Sequence, residues 1–278
     1  MATFTNRATL SYNGGSIDSN VVTGTINETL SLTKNALGDF YSRGDNIVYV
    51  VNLINSGTAA FSDLTVTDNL GGAASTPLAY VIGSLQYYVN GVLQPTPAII
   101  DTNPLTITGI NAPAGSNVTI IYAAEVTDFA PLVAGSQIDN VVTVTGDGII
   151  NPVTATETVT VNEAPELTIT KGLSPTTVIE NGNITYTFVI QNYGNTPAIA
   201  TDNVVVTDTF DPVLRNITVN FEGVAWSTPE NYTYDTTTGV FATNAGEITV
   251  PAATYVTNPD GSIGIIPGSV TLTVTGTV

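Results

Sequence analysis

The sequence predicts an all-β protein of two β-sandwich modules, the second lacking its closing strands, behind an N-terminal arm that carries those strands. Three observations predict this. The 278 residues run as short alternating apolar and polar stretches broken by Gly, Pro, Asn and Asp, the pattern of strands and turns, while helical apolar spacing is nearly absent. An internal repeat with a period of about 140 residues covers most of the chain. The two ends of the chain are out of register with that repeat.

The arm comprises residues 1–27. Its TFTNRATLSYNGG matches QIDNVVTVTGDG from the middle of the chain, and NVVTGTINETLSLTK (20–34) matches NPVTATETVTVNEAPELTITK (151–171). Residues 28–162 read as a complete module. LSLTKNA, NIVYVVNLINSG, DLTVTDNL and GSNVTIIYAAEV supply its strands, and QIDNVVTVTGDG with NPVTATETVTV closes it. Residues 163–278 repeat the first four segments as LTITKGL, NITYTFVIQNYG, NVVVTDTF and GSVTLTVTGTV, and stop where the closing segment is due. An unclosed sandwich exposes apolar surface and an unpaired strand edge. The expected partner is the arm of another copy, added as a strand. Head-to-tail contact of this kind makes an open filament unless the rotation closes a ring, and a reciprocal exchange makes a closed dimer. The initiating Met and the complementary ends favour a whole subunit over a fragment.

Composition excludes several classes. Against 23 acidic residues stand five basic ones, for a net charge of −18, so nucleic acid and anionic membrane surfaces are not expected partners. No apolar run approaches the ~20 residues of a membrane helix. Cys and His are both absent, which removes disulfides, Cys/His zinc sites and Ser-His or Cys-His catalysis. An ordinary enzyme is a poor expectation, and no cofactor or metal is expected. The N-terminus lacks the basic and apolar regions of a secretory signal. The signal has been removed, or the protein reaches a surface by another route, such as release from a lysing mother cell.

Residues 167–214, with T-K and S-P, then G-x-I-x-Y-x-F-x-I-x-N-x-G, then V-x-V-T-D-x-F, resemble the "conserved repeat domain" family of bacterial and archaeal surface proteins. The first module is similar to it more loosely, with Ala36-Leu37 in place of Ser-Pro and Gly-Gly after Leu70. The resemblance implies an immunoglobulin-like sandwich and surface or stalk roles, and by itself neither a ligand nor a reaction.

Strand alternation turns three polar residues of each module inward. Lys34 shares a face with Leu30, Leu32 and Ala36, and Lys171 with Leu167, Ile169 and Leu173; these are the only lysines. Asp68 lies with Leu64, Val66 and Leu70, and Asp208 with Val204, Val206 and Phe210. Asn140 lies with Ile138, Val142 and Val144, and Asn6 with Phe4, Ala8 and Leu10. Unpaired buried charge is costly, so these groups must meet. One reading is a buried Lys–Asp ion pair with an Asn hydrogen bond. The other is a Lys–Asn isopeptide bond, in which burial frees the amine as nucleophile and holds the acid neutral to polarise the carboxamide. The constellation is similar to that of collagen-adhesin-type isopeptide domains: an early Lys, a mid-domain acid and an Asn on the last strand. That similarity implies an intramolecular Lys34–Asn140 bond promoted by Asp68. It also implies an intermolecular Lys171–Asn6 bond promoted by Asp208.

Other signals are read as structural. The acidic turns at 146–148 and 258–261 lack the ligand spacing of a calcium loop. Trp226, Tyr232 and Tyr234 are assigned to a long loop over the sandwich end rather than to a carbohydrate surface. At least one ring of the Tyr87–Tyr88 pair is expected in the core. The function expected is a self-assembling structural subunit of an extracellular cell or spore surface appendage whose partner is itself. The alternative is a pair of repeats from a large adhesin or stalk protein.

Overall fold

The computed structural model describes residues 2–26, 29–72 and 76–278, and these are all-β apart from one 3₁₀ turn at Ala200–Asp202. The chain divides into two compact units: residues 1–127 with 138–159, and residues 128–137 with 160–278.

The arm is a two-stranded ribbon. Ala2–Asn6 pairs antiparallel with Val22–Ile26, and Thr9–Tyr12 pairs with Gly15–Asp18 around the Asn13-Gly14 turn. Among the described residues these strands pair only with one another. Phe4, Leu10, Tyr12, Ile17 and Val22 are each more than half exposed. Arg7 and Asp18 form a 3.2 Å surface ion pair, and the Ala8 N–H donates to Ser19 Oγ. A lone hairpin has no apolar face to bury and is marginal in water.

The first module is a sandwich of two six-stranded sheets. In one, Gln86–Val89, Asn117–Val126, Asn46–Asn55 and Leu30–Ala36 lie in that order; in the other, Leu105–Ala112, Phe61–Asp68, Gln137–Thr145 and Val153–Val161. Strict alternation drives the packing. Ile47, Tyr49, Val51 and Leu53 point inward from one strand, and Val118, Ile120, Tyr122, Ala124 and Val126 from its neighbour, all at most 5% exposed. Each large apolar side chain so buried contributes about 1.5–3 kcal/mol. Gln137–Thr145 and Val153–Val161 close this sandwich, and Phe40–Tyr41 pairs with the latter strand.

The second module has a five-stranded sheet built like the first, from Leu167–Ser174, Asn183–Asn192, Gly268–Thr277, Arg215–Phe221 and Val224–Trp226. Its opposing sheet has only three strands: Thr207–Thr209, Val240–Thr243 and Tyr232–Tyr234. Thr207–Thr209 answers to Phe61–Asp68 but is an edge, because the position held by Gln137–Thr145 in the first module has no counterpart. The sequence predicts a strand across 203–210. With no outer neighbour to hydrogen-bond it, only Thr207–Thr209 stays extended, and Asn203 takes a left-handed φ of 53°. The incomplete cover leaves apolar surface open. Leu167, Ile169 and Leu173 are 37, 52 and 40% exposed, and Val178 is 37% exposed where its first-module counterpart Tyr41 is at 0%.

The repeated Asn-x-Gly segment is a loop anchor in both copies. Asn55 Nδ2 donates to the carbonyls of Ala59, Ala112 and Pro113, and its Oδ1 accepts the Gly57 N–H. Asn192 acts similarly, its Nδ2 donating to the Thr196 carbonyl and its Oδ1 accepting the Glu166 and Gly194 N–H groups. Gly194 is required by proximity, since a Cβ there would fall 2.1 Å from the Ala164 carbonyl oxygen.

Trp226, Tyr232 and Tyr234 lie in short strands rather than a long loop. Tyr232 is buried against Phe241, Tyr234 bonds the backbone of Leu214, and Trp226 packs on Phe221. Tyr87 is the buried ring of its pair, its hydroxyl bonded to the Asn111 carbonyl. The 258–261 turn is held by its own side chains, with Asp260 Oδ1 accepting from the Ser262 N–H and hydroxyl.

Candidate functional site

Lys34 projects from the strand Leu30–Ala36 across the core of the first module. Asp68, at the end of Phe61–Asp68, and Asn140, on the adjacent Gln137–Thr145, project toward it from the opposite sheet. The three residues are 3, 1 and 0% exposed. Asp68 lies opposite Val142 in the ladder, so Asn140 follows it two residues along on the same face.

Three donors converge on Asp68. Lys34 Nζ lies 2.5 Å from Oδ2, the Tyr122 hydroxyl donates to the same oxygen, and the Leu70 N–H donates to Oδ1 at 2.9 Å. The Lys34 amine also stands 4.6 Å over the ring of Tyr49, which stacks on Tyr122 at 5.7 Å. Burial pulls the Lys34 amine down from 10.5 to about 8; Asp68, and more weakly Glu157 on the neighbouring strand, oppose the shift without cancelling it. The result is an amine titrating closer to neutral pH, in direct contact with the Asp68 carboxyl group.

Asn140 is the anomaly. Its carboxamide is fully buried, yet neither Oδ1 nor Nδ2 makes a hydrogen bond, and the nearby Tyr49 hydroxyl makes none either. The Tyr49 and Tyr122 hydroxyls both come close enough to interact with this carboxamide, but neither is aligned with it as a full hydrogen bond. Leaving a buried polar group unsatisfied costs about 1–3 kcal/mol, and native cores avoid it. The Asn140 carboxamide thus lies in the same buried layer as the Lys34–Asp68 pair without a well-aligned hydrogen bond.

The second module holds the same parts in an open setting. Lys171 and Asp208 form an ion pair, with side chains 42 and 17% exposed. Rings of Tyr186, Phe188 and Phe210 surround the amine at 4.4, 5.6 and 5.6 Å. Asp208 Oδ1 accepts the Thr209 N–H. Tyr186 occupies the place of Tyr49, but its ladder partner is Val274 where Tyr49 faces Tyr122. Asn6 stands in the arm, exposed, opposite Val22. The structure therefore gathers one full Lys–Asp–Asn set and one Lys–Asp half-set, with the remaining Asn presented on a ribbon.

Sequence reasoning singled out neither Tyr49 nor Tyr122. Both sit at inward positions of strongly alternating strands, where a tyrosine reads as core. The signal was their hydroxyls, two polar ends converging on the lysine's level of the sandwich.

No family model and no curated protein matches the chain. Among solved structures it is similar to BcpA, the major pilin subunit of Bacillus cereus, at 13% identity and a TM-score of 0.38 over 96% of this chain and 73% of that one. It is similar to the pilus backbone RrgB of Streptococcus pneumoniae at 13% identity and a TM-score of 0.36, covering 86% and 55%. The collagen-binding domain of a Staphylococcus aureus adhesin gives 15% identity and a TM-score of 0.33 over 49% of this chain and 99% of that domain. Among the described residues no helix is long and apolar enough to cross a membrane, and no cluster of three or more His, Cys, Asp or Glu side chains is placed to hold a metal ion.

Proposed function

We propose that this protein is the subunit of an extracellular surface fibre that assembles head to tail. The arm of one copy adds to the open edge of the second module of the next, and Lys–Asn isopeptide bonds lock both modules. The observation that carries this reading is the pairing of an exposed Lys171–Asp208 half-site, beside an unpaired strand, with an exposed ribbon that repeats the closing strands and bears Asn6. The first module supplies the register. There Val142 faces Asp68 and Val144 faces Val66, so by the repeat Ala8 of the incoming arm faces Asp208 and Leu10 faces Val206. Asn6 then meets Lys171 as Asn140 meets Lys34. The second strand of the ribbon covers Val178 and Ile179, which are 37 and 81% exposed.

The chemistry needs no cofactor. The neutral lysine amine adds to the Asn Cγ, and the carbonyl π pair moves onto Oδ1. The aspartate, protonated by the lysine ammonium as the amine is freed, gives that proton to Nδ2 and takes one from Nζ, so that it ends as a neutral acid. The Cγ–Nδ2 bond breaks, ammonia leaves, and the oxygen pair returns to form the new amide. Both buried charges are discharged, which removes the desolvation cost of the pair.

The test is a boiled denaturing gel with intact mass on the wild type, Asn6→Ala and Lys171→Ala. A ladder in the wild type that collapses to monomer in both variants supports the intermolecular bond, and each variant monomer should still lack one ammonia from the first module. A wild type that boils to monomer with no ammonia lost sinks the covalent reading. A ladder ending at dimer means reciprocal exchange. A species that stays monomeric in native conditions at high concentration favours repeats of a larger adhesin.

A further inference from the structure

We infer that the Tyr49 hydroxyl is a catalytic hydrogen-bond donor for the Lys34–Asn140 cross-link, stabilising the oxyanion that forms on Asn140 Oδ1, and that Tyr186 does the same at the Lys171 half-site. The inference rests on the cross-linking reading of these residues and adds the group that reading lacks. When Nζ adds to Cγ, a full negative charge develops on Oδ1 in a site closed to water. Such a charge needs a positioned donor, and in acyl transfer this donor is the largest single contribution to rate.

Two hydroxyls border the carboxamide. That of Tyr122 is committed, since it donates its hydrogen bond to Asp68 Oδ2. That of Tyr49 is 0% exposed with its residue and meets only the Asn140 carboxamide, without the alignment of a full hydrogen bond, while its ring lies under the attacking amine. A donor poorly aligned in the resting site and tightened as the oxyanion forms stabilises the transition state more than the reactants, the condition for raising the rate. Tyr49 keeps its own proton throughout, so the atom balance of the reaction is unchanged. The second module fits the same assignment. Its site differs from the first by Val274 in place of Tyr122, but it retains Tyr186 with the Lys171 amine 4.4 Å over the ring. Of the two tyrosines, the one present in both sites is the one assigned to the reaction.

The experiment follows ammonia loss from the full chain by intact mass during cell-free synthesis, comparing the wild type, Tyr49→Phe and Tyr186→Phe. Removing one oxyanion donor lowers such rates by about 100–1000-fold. Tyr49→Phe is expected to slow the first ammonia loss on that scale, and Tyr186→Phe to slow ladder growth while leaving the first loss untouched. As a check on packing, Tyr49→Phe placed on Asn140→Ala, which cannot react, should leave the unfolding midpoint unmoved. Ammonia loss from Tyr49→Phe at the wild-type rate overturns the tyrosine assignment alone, as does a large fall in that midpoint. A wild type that never loses ammonia overturns the assignment together with the cross-link itself.

Discussion

Asp68 is the residue on which the first module's site turns, because an amine, a phenol and a backbone N–H all point at its two oxygens. Asp68→Asn removes the proton carrier and is expected to abolish ammonia loss from the first module while leaving the Lys171 ladder intact, as read by mass and gel. The lysine gives a pH dependence of known sign. Its folded value of about 8 lies below its ordinary 10.5, so between those values the unfolded chain binds a proton that the folded chain does not. In unlinked Asn140→Ala the denaturation midpoint should therefore rise as pH climbs from about 8 to 10.5, and below that window Lys34 destabilises the fold by a constant amount with no pH dependence. The wild-type cross-linking rate should climb with pH up to about 8 and then level off. A rate that falls over the rising limb would contradict the amine as nucleophile. Lys34, Asp68 and Asn140 were legible in the sequence because a charge on the apolar phase of a strand is conspicuous. The tyrosines were not, since a phenol on that phase is ordinary core.

Elements carry the recognition. Leu10 is 64% exposed on the ribbon and is assigned to the surface beside Val206, so Leu10→Asp should block assembly yet leave a folded monomer with its first-module bond formed. A peptide of residues 2–26, added to a chain lacking its own arm, should become covalently attached to Lys171, with one ammonia lost per capture. Attachment that persists in Lys171→Ala would place the bond elsewhere. Asn192→Ala strips a buried anchor from three backbone partners and should destabilise the second module by roughly 1–3 kcal/mol in chemical denaturation. Most strands were legible from alternation and repeat. The exceptions are informative: the stretch 203–206 alternates like a strand but has no neighbour to pair with, and the aromatic segment 225–235, read as a loop, carries the short strands Val224–Trp226 and Tyr232–Tyr234 on either side of a turn, with Tyr232 buried. Propensity sees the residue and not the partner that lets it extend.

At the scale of the whole molecule, the net charge of −18 sets the terms of association. Every encounter of two copies works against like-charge repulsion, which salt screens over a Debye length of about 10 Å at 0.1 M. Assembly should accelerate with ionic strength, while the first-module cross-link, being internal and buried, should not respond; light scattering and mass separate the two. The sequence reads as two repeats, and the structure divides into two compact units. That residues 128–137 group with the second unit was not legible in the sequence, because their bonds, such as Asn195 Nδ2 to the Leu132 carbonyl, join segments far apart along the chain.

The placement of Lys34 has a mechanical meaning. It lies in the strand by which the backbone enters the first module, and Asn140 lies in the pair of strands by which it leaves. A bond between them gives tension a covalent route around the sandwich, so that the strands in between carry almost none of the load. With Lys171 and Asn6 joined in the same way, force would pass from copy to copy along main chain and cross-links. Such a fibre would yield by breaking a chemical bond before it yielded by unfolding.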